Sequence, residues 1–238
     1  MLDTFVQLLP ELGVAVGQTF LMLGIALAAS ILLGGPLGVL VFLTGPGQSL
    51  DRPLAHRLLS WTVNTVRSFP FIILLVALVP FTRVIAGTSI GPVAAAVPLS
   101  FAAIPYFARL VEQCLREVPR GVIEAAHAAG ASELQIVRRV LLVEARSGLV
   151  LALTVLAVSF LSYSAVAGVV GGGGIGDLAI RYGYYRFQTD VMVLTVALLV
   201  VLVQIIQWIG DWAARKVTHC PMRRDAWPAR TGPHDMDR

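Results

Sequence analysis

Several residues in this chain could do chemistry, and most of them lack the company that chemistry needs. Asp177 stands in Gly174-Ile-Gly-Asp177, a carboxylate on a glycine-flanked turn. Acid–base work of that kind requires a second carboxylate close enough to share protons. The remaining acids are expected outside the apolar stretches, and Asp190 and Asp211 fall at opposite ends of one of them. Gly171 to Gly176 spells G-x-G-x-x-G, but a phosphate cradle needs a strand before it and a helix after it, and this run follows a long apolar segment. His56, His127, His219 and His234 are scattered with no metal-binding spacing, and Cys114 and Cys220 are too few and too far apart for a metal framework. No G-x-x-x-x-G-K-[ST] run is present, so this chain is not expected to bind ATP. The sequence that remains to be explained is Glu124-Ala-Ala-His-Ala-Ala-Gly130.

The elements that must hold these residues follow from where charge is missing. The 238 residues are 57% hydrophobic and 13% charged, against about 25% charged in an ordinary soluble domain. Neither a disordered chain nor a soluble enzyme fits that balance. No Asp, Glu, Lys or Arg occurs in 12–50, 68–82, 84–108, 147–176 or 191–210. A bilayer-crossing helix needs about 20 mostly apolar residues. Four gaps reach that length, and the fifth extends upstream through Ser60-Trp61-Thr62-Val63 if Arg67 sits near a membrane surface. The expected fold is an all-α polytopic membrane protein with five spans. Segments on one side then hold 15 of the 18 basic residues, Arg67 among them, while the other side holds only Arg83, Arg181 and Arg186. Basic residues stay on the cytoplasmic side, which predicts the N-terminus outside and the C-terminus inside. Met1 to Glu11 has no basic residue, so the first apolar stretch reads as a retained span rather than a signal peptide. The net charge of +4 is spread between spans and does not suggest nucleic acid.

Span one is expected within Leu12–Leu43, with Gly24, Gly34, Gly35 and Gly38 allowing close helix approach. A short cytoplasmic connector at Arg52–Trp61, or an interfacial helix there, leads to span two, about Leu59–Val79, where Pro70 must kink or interrupt the helix. An outer loop at Phe81–Gly91 precedes span three, about Pro92–Cys114. Arg109 and Glu112, three residues apart, suit a helix-end pair. Spans four and five fall at about Leu149–Val170 and Val191–Trp212, and the glycine run is expected to help shape an outer gate. The transmembrane unit is therefore 1–217, followed at 218–238 by a polar tail read as disordered. Between spans three and four, about 118–145, Pro119 suits a helix start, four alanines make a strong helix with little bulk, and Gly130 suits its end. Ser132-Glu-Leu-Gln135 offers a capping box for a second helix whose apolar face would be Leu134, Ile136, Val137, Val140 and Leu141. Such a helix–glycine–helix element suits a partner's groove and equally suits an interfacial connector.

A resemblance separates these two readings. Glu124-Ala125-Ala126, three residues, Gly130, nine residues and Val140-x-Leu142 is similar to the EAA loop of permease subunits of bacterial ABC importers. The family pattern continues with Ile-x-Leu-Pro, where this chain has Val140 and Val143, and Arg146-Ser147 replaces an apolar-Pro pair. Val66-Arg-Ser-Phe-Pro-Phe-Ile-Ile-Leu-Leu-Val76, Pro80 to Gly91, Gln135 to Leu142 and Tyr163-Ser-Ala165 further resemble the methionine-importer permeases over roughly 12–217.

The resemblance implies a five-span permease of the bacterial inner membrane that works as a homodimer with two ATPase subunits. The ATPases would use ATP and Mg2+, while this chain binds no cofactor and no metal. A periplasmic or lipid-anchored methionine-binding protein would deliver D- or L-methionine. Glu124, Ala125, Ala126, Gly130 and Ser132 would form the joint with the ATPase, and Arg138 and Arg139 would face acidic ATPase groups or lipid headgroups. Ionisable residues are scarce in the spans, which suits an apolar solute and not an ion-coupled transporter. Pathway candidates are Ser68, Pro70, Tyr163 and Ser164, whose hydroxyls alternatively serve helix packing. Another small amino acid as cargo is the alternative, and an intramembrane aspartyl protease built on Asp177 is the rival from another class.

Overall fold

The computed structural model describes residues 2–218, with side chains from Pro10 onward. The tail at 219–238, with His219, Cys220 and His234, lies outside the described residues. All elements among the described residues are helical.

Helix α1 (Leu2–Ala29) continues through a π-helical turn at Ser30–Gly34 into α2 (Gly35–Leu43). Together they give an apolar rod over Pro10–Leu43, 34 residues long. The wide turn has a local cause. Pro36 lacks an N–H and would clash with the carbonyl one turn back in a regular helix, and Ser30 donates its hydroxyl to Ala26 O at 2.7 Å beside it. Of the four glycines expected to admit a neighbour, Gly34 and Gly38 do so. A Cβ on Gly34 would lie 2.6 Å from Ile104 O, and one on Gly38 2.5 Å from Ala108 O, whereas Gly24 faces open space. Hydrocarbon tails are as apolar as leucine, so this close fit, rather than exclusion of water, holds the helices together in a membrane.

The second apolar region carries the interruption expected at Pro70. It consists of α3 (Pro53–Ser68), α4 (Phe71–Ala77) and α5 (Val79–Ala86), and the axis bends by 99° between α3 and α4. The connector expected at 52–61, with an interfacial helix as its alternative, is the start of α3. The interruption expected at Pro70 falls between Ser68 and Phe71. One expectation changes here. Much of the outer loop expected from Phe81 is helical, because Pro80 sits in the first turn of α5, where its missing N–H costs nothing.

Helix α6 (Pro92–Arg116) is the centre of the molecule and packs on α1, α2, α3, α4, α5 and a later helix, α10. Leu99, Ala103, Phe107, Val111 and Leu115 recur every four residues along its buried side. Its end leads into α7 (Arg120–Ala128), α8 (Glu133–Ile136), a π-helical turn at Val137–Leu141 and α9 (Leu142–Glu144). Helix α10 (Arg146–Ala167) then runs back beside α6 and ends in a second wide turn at Gly168–Gly172. The connection to the last helix is folded: α11 (Gly174–Leu178) and a turn of wide helix at Ala179–Tyr184 precede α12 (Thr189–Val217). Four helical rods are long and apolar enough to cross a membrane, or five if the bent α3–α4 pair is one span.

Candidate functional site

The loop between α6 and α10 is built from local signals. Pro119 is extended (φ −60°, ψ 130°) and starts α7. Gly130 adopts φ +77°, which favours glycine. Around it Gly130 N–H donates to His127 O at 2.9 Å and Ala131 N–H to Ala126 O at 3.1 Å, the pair of bonds that closes a Schellman turn. Gln135 Oε1 accepts from Ser132 N–H at 2.8 Å, completing the expected capping box. Helix α7 buries no residue. Glu124, Ala125, Gly130 and Ser132 are exposed, and Ala126 leans toward the core. Arg138 and Arg139 are also exposed, and neither has an acidic partner among the described residues. Ile136 and Leu141 are buried as expected, but Leu134 is 59% exposed and leaves the apolar face. With Val143 in place of the family proline the chain still turns into α10, through Ala145 (ψ −2°).

His127, one of the four scattered histidines, has side-chain neighbours in the structure. Its Nε2 lies 3.5 Å from Ser49 Oγ in the turn after α2, and its Nδ1 lies 3.9 Å from Glu133 Oε1. The first of these contacts joins α7 to a turn far away in sequence, and the second joins it to the start of α8. The pattern of residue types alone could not reveal them.

The pathway candidates separate into two groups. Ser68 Oγ donates to Asn64 O at 2.8 Å and Ser164 Oγ to Leu161 O at 2.7 Å, so both hydroxyls serve their own helices. Ser68 and Pro70 are exposed at the break, whereas Ser164 is buried. Tyr163 stacks on Phe71 at 4.9 Å, just past Pro70, and meets the edge of Phe160 at 5.0 Å. Phe160 meets Tyr106 at 5.8 Å, and the Arg67 guanidinium lies over Tyr106 at 5.3 Å. The break is thus walled by aromatic rings from α6 and α10. Of the residues gathered here, Tyr163 and Pro70 were named from the sequence as pathway candidates and Arg67, a cation flanking an apolar stretch beside a proline, was not.

Glu112 corrects the expectation of spans without buried acids. It is 1% exposed inside α6, with Arg109 at 2.6 Å and Arg116 at 2.7 Å. Asp177 pairs with Arg181 at 2.8 Å, a contact within one segment and not a second carboxylate. The glycine run makes a sharp left-handed turn, with φ +87° at Gly171 and +76° at Gly173. Helix α11 then begins on side chains of α1: Gln18 Oε1 accepts from Gly174 N–H at 2.8 Å and Thr19 Oγ1 from Ile175 N–H at 3.0 Å. No group of acids, histidines or cysteines suited to a metal occurs among the described residues. Tyr182 donates to Glu11 Oε1 at 2.9 Å, and this bond raises the phenol above its ordinary value while Arg186 and Arg181 pull the other way.

A long apolar bundle carrying an exposed alanine helix at one end and a broken span within it has known counterparts. The family described as binding-protein-dependent transport system inner membrane component matches residues 34–219. The chain belongs to this family. It is 50% identical to the probable D-methionine transport system permease protein MetI of Vibrio cholerae, over 86% of this chain and 91% of that protein. It is 44% identical to the corresponding protein of Pasteurella multocida, over 87% of this chain and 95% of that protein. Among solved structures, an inward-facing MetNI methionine ABC transporter matches with a TM-score of 0.88 at 46% identity, covering 89% of this chain and 98% of that one. An amino acid ABC transporter crystallised with histidines matches with a TM-score of 0.73 at 17% identity, which speaks to the fold alone. This member of the family is a multi-pass permease subunit of an ABC transporter, not an enzyme, and its energy comes from an ATPase partner.

Proposed function

We propose that this permease carries methionine, as the D or L form, across the bacterial inner membrane into the cell. The observation that carries the reading is the 50% identity to the Vibrio cholerae D-methionine permease over nearly the whole of that protein. Five spans cross the membrane within 1–217, the bent α3–α4 pair being one of them, with the N-terminus outside and the C-terminus in the cytoplasm. The charge count supports this orientation, since most basic residues flank the α7–α9 end. Two copies pair around a central pathway, each resting on one ATPase, and a binding protein delivers the cargo from outside. Glu124, Ala125, Ala126, Gly130 and Ser132 form the joint: the exposed, small-sided α7 seats in the ATPase and the Schellman turn stiffens it. Arg138 and Arg139 lie beside that joint. The pathway runs past Pro70 and Tyr163, with Ser68 at its edge and Ser164 serving the packing behind it.

The test is reconstitution in liposomes with the ATPase and binding protein encoded beside this chain. ATP-dependent uptake of labelled methionine, competed by unlabelled methionine and not by leucine or histidine, is the expected result. Uptake of another amino acid with no methionine uptake overturns the cargo assignment.

A further inference from the structure

Arg67 is unusual in its place. Tyr106, beneath its guanidinium, is ten residues from the end of α6 at Arg116, about 15 Å at 1.5 Å per residue. Phe160, the next ring, is fourteen residues into α10 from Arg146, about 21 Å by the same rise. Arg67 therefore stands part-way along α6 and α10, near the inner end of the charge-free stretch 84–108 and well inside 147–176, and not at the ends of these helices. Among the described residues no acidic side chain pairs with it.

Two physical constraints act on this place. A charged side chain deep in a membrane must face the bundle interior or a water-filled cavity. Irregular backbone at that depth is likewise tolerated only where it is covered by protein or lines such a cavity. Phe69 and Pro70 are both extended (ψ 132° and 131°), and Arg67, Ser68, Phe69 and Pro70 are all exposed in the single chain. The last carbonyls of α3 lose their helical partners at the same break. One spot therefore gathers a fixed cation, carbonyl acceptors and an aromatic wall that includes Tyr106 and Tyr163. A zwitterionic amino acid with an apolar, polarisable side chain matches all three.

We propose that the break in the second span is a substrate station within the permease, with Arg67 as its carboxylate-binding residue. The guanidinium donates to the α-carboxylate of the passing amino acid, the carbonyls ending α3 accept from its ammonium group, and the Tyr163 and Tyr106 rings receive the side chain. A thioether contributes a modest sulfur–aromatic attraction there. The assignment of methionine to this station rests on the proposed cargo, whereas the role of Arg67 requires only an α-amino acid.

The experiment is equilibrium retention of labelled methionine by the permease–ATPase complex without its binding protein, taken as the excess over retention by the same ATPase purified alone. The wild-type complex is expected to retain it, methionine to displace it, and methioninamide, which lacks the carboxylate, to fail to displace it. Arg67→Gln is expected to weaken retention more than tenfold, in line with hydrogen bonds to a charged group, and Arg67→Lys to weaken it less. No retention by the wild-type complex, equal displacement by the amide, or unchanged retention in Arg67→Gln each overturns the proposal. If Arg67→Gln does not assemble with the ATPase, the amide comparison on wild type still decides. If uptake assays identify a different amino acid as cargo, the methionine reading fails, and the same displacement test with that amino acid and its amide judges Arg67 separately.

Discussion

Pro70 and Pro119 sit in nearly the same backbone conformation, φ −57°, ψ 131° and φ −60°, ψ 130°, and each starts a short helix. The consequences are opposite. Helix α4 after Pro70 buries Phe71, Leu74 and Leu75, while α7 after Pro119 buries nothing. One proline opens a gap inside the bundle and the other pushes an alanine-rich helix out of it. A proline break is a neutral device whose use is set by the residues that follow: Phe-Ile-Ile-Leu-Leu in the first case, Arg-Gly-Val-Ile-Glu-Ala-Ala in the second.

The largest effect is expected at the exposed break. Gly130→Leu puts a side chain where φ is +77°, at a cost of about 1–2 kcal/mol, and would obstruct the proposed joint with the ATPase. No neighbour in the chain itself meets a Cβ there, so the variant is expected to fold but to lose co-purification with the ATPase and methionine uptake. Full uptake by this variant sinks the coupling role of the loop.

Exchange of each proline for alanine tests the comparison itself. Pro70→Ala releases Phe69 from the extended region that proline imposes on its predecessor, lets α3 run on into α4 and is expected to reduce uptake severely. Pro119→Ala is expected to change uptake little, because Val118 remains anchored in the core on its near side. Equal losses from the two variants would erase the distinction drawn here.

A smaller effect is expected behind the loop. Glu112→Ala leaves Arg109 and Arg116 without their shared acid. Removing one partner from a fully buried pair costs about 3–5 kcal/mol. The two arginines are 30% and 54% exposed and can turn to solvent, so a loss of about 1–2 kcal/mol is expected, nearer an ordinary hydrogen-bonding deficit. A thermal shift of the purified complex measures it, and an unchanged midpoint means the cluster is incidental.

The smallest effect concerns the tie between Tyr182 and Glu11 at the far end. Because the folded-state phenol is raised, its contribution is fully present below the ordinary tyrosine range and is lost as pH rises through the raised value. Comparing wild type with Tyr182→Phe, stability curves are expected to differ slightly at neutral pH and to converge in strong alkali. Divergence with rising pH contradicts the sign.

Legibility from sequence followed the range of each interaction. The α7–α8 turn was readable because its signals, Pro119, Gly130 and Ser132-x-x-Gln135, act within a few residues. The rods around Pro92–Arg116 and Arg146–Gly172 were readable because hydropathy is additive along a helix. Pro80 misled, since a proline ends or begins a helix according to what its neighbours can bury. The ties from His127 to Ser49 and from α11 to Gln18 and Thr19 join segments far apart in sequence, and no spacing rule reports them.

The sequence by itself therefore determined a lipid-dwelling helical chain, the segments that carry its basic residues, and a helix–glycine–helix loop of small side chains, all from short-range or additive physics. Tertiary structure alone decided that the second span breaks by 99°, that aromatic rings of α6 and α10 gather at the break, and that Arg67 lies against one of them. The reason is geometric: proline permits a bend, but its direction and what meets it are chosen by the helices packed alongside, and those contacts exist only when the bundle is assembled.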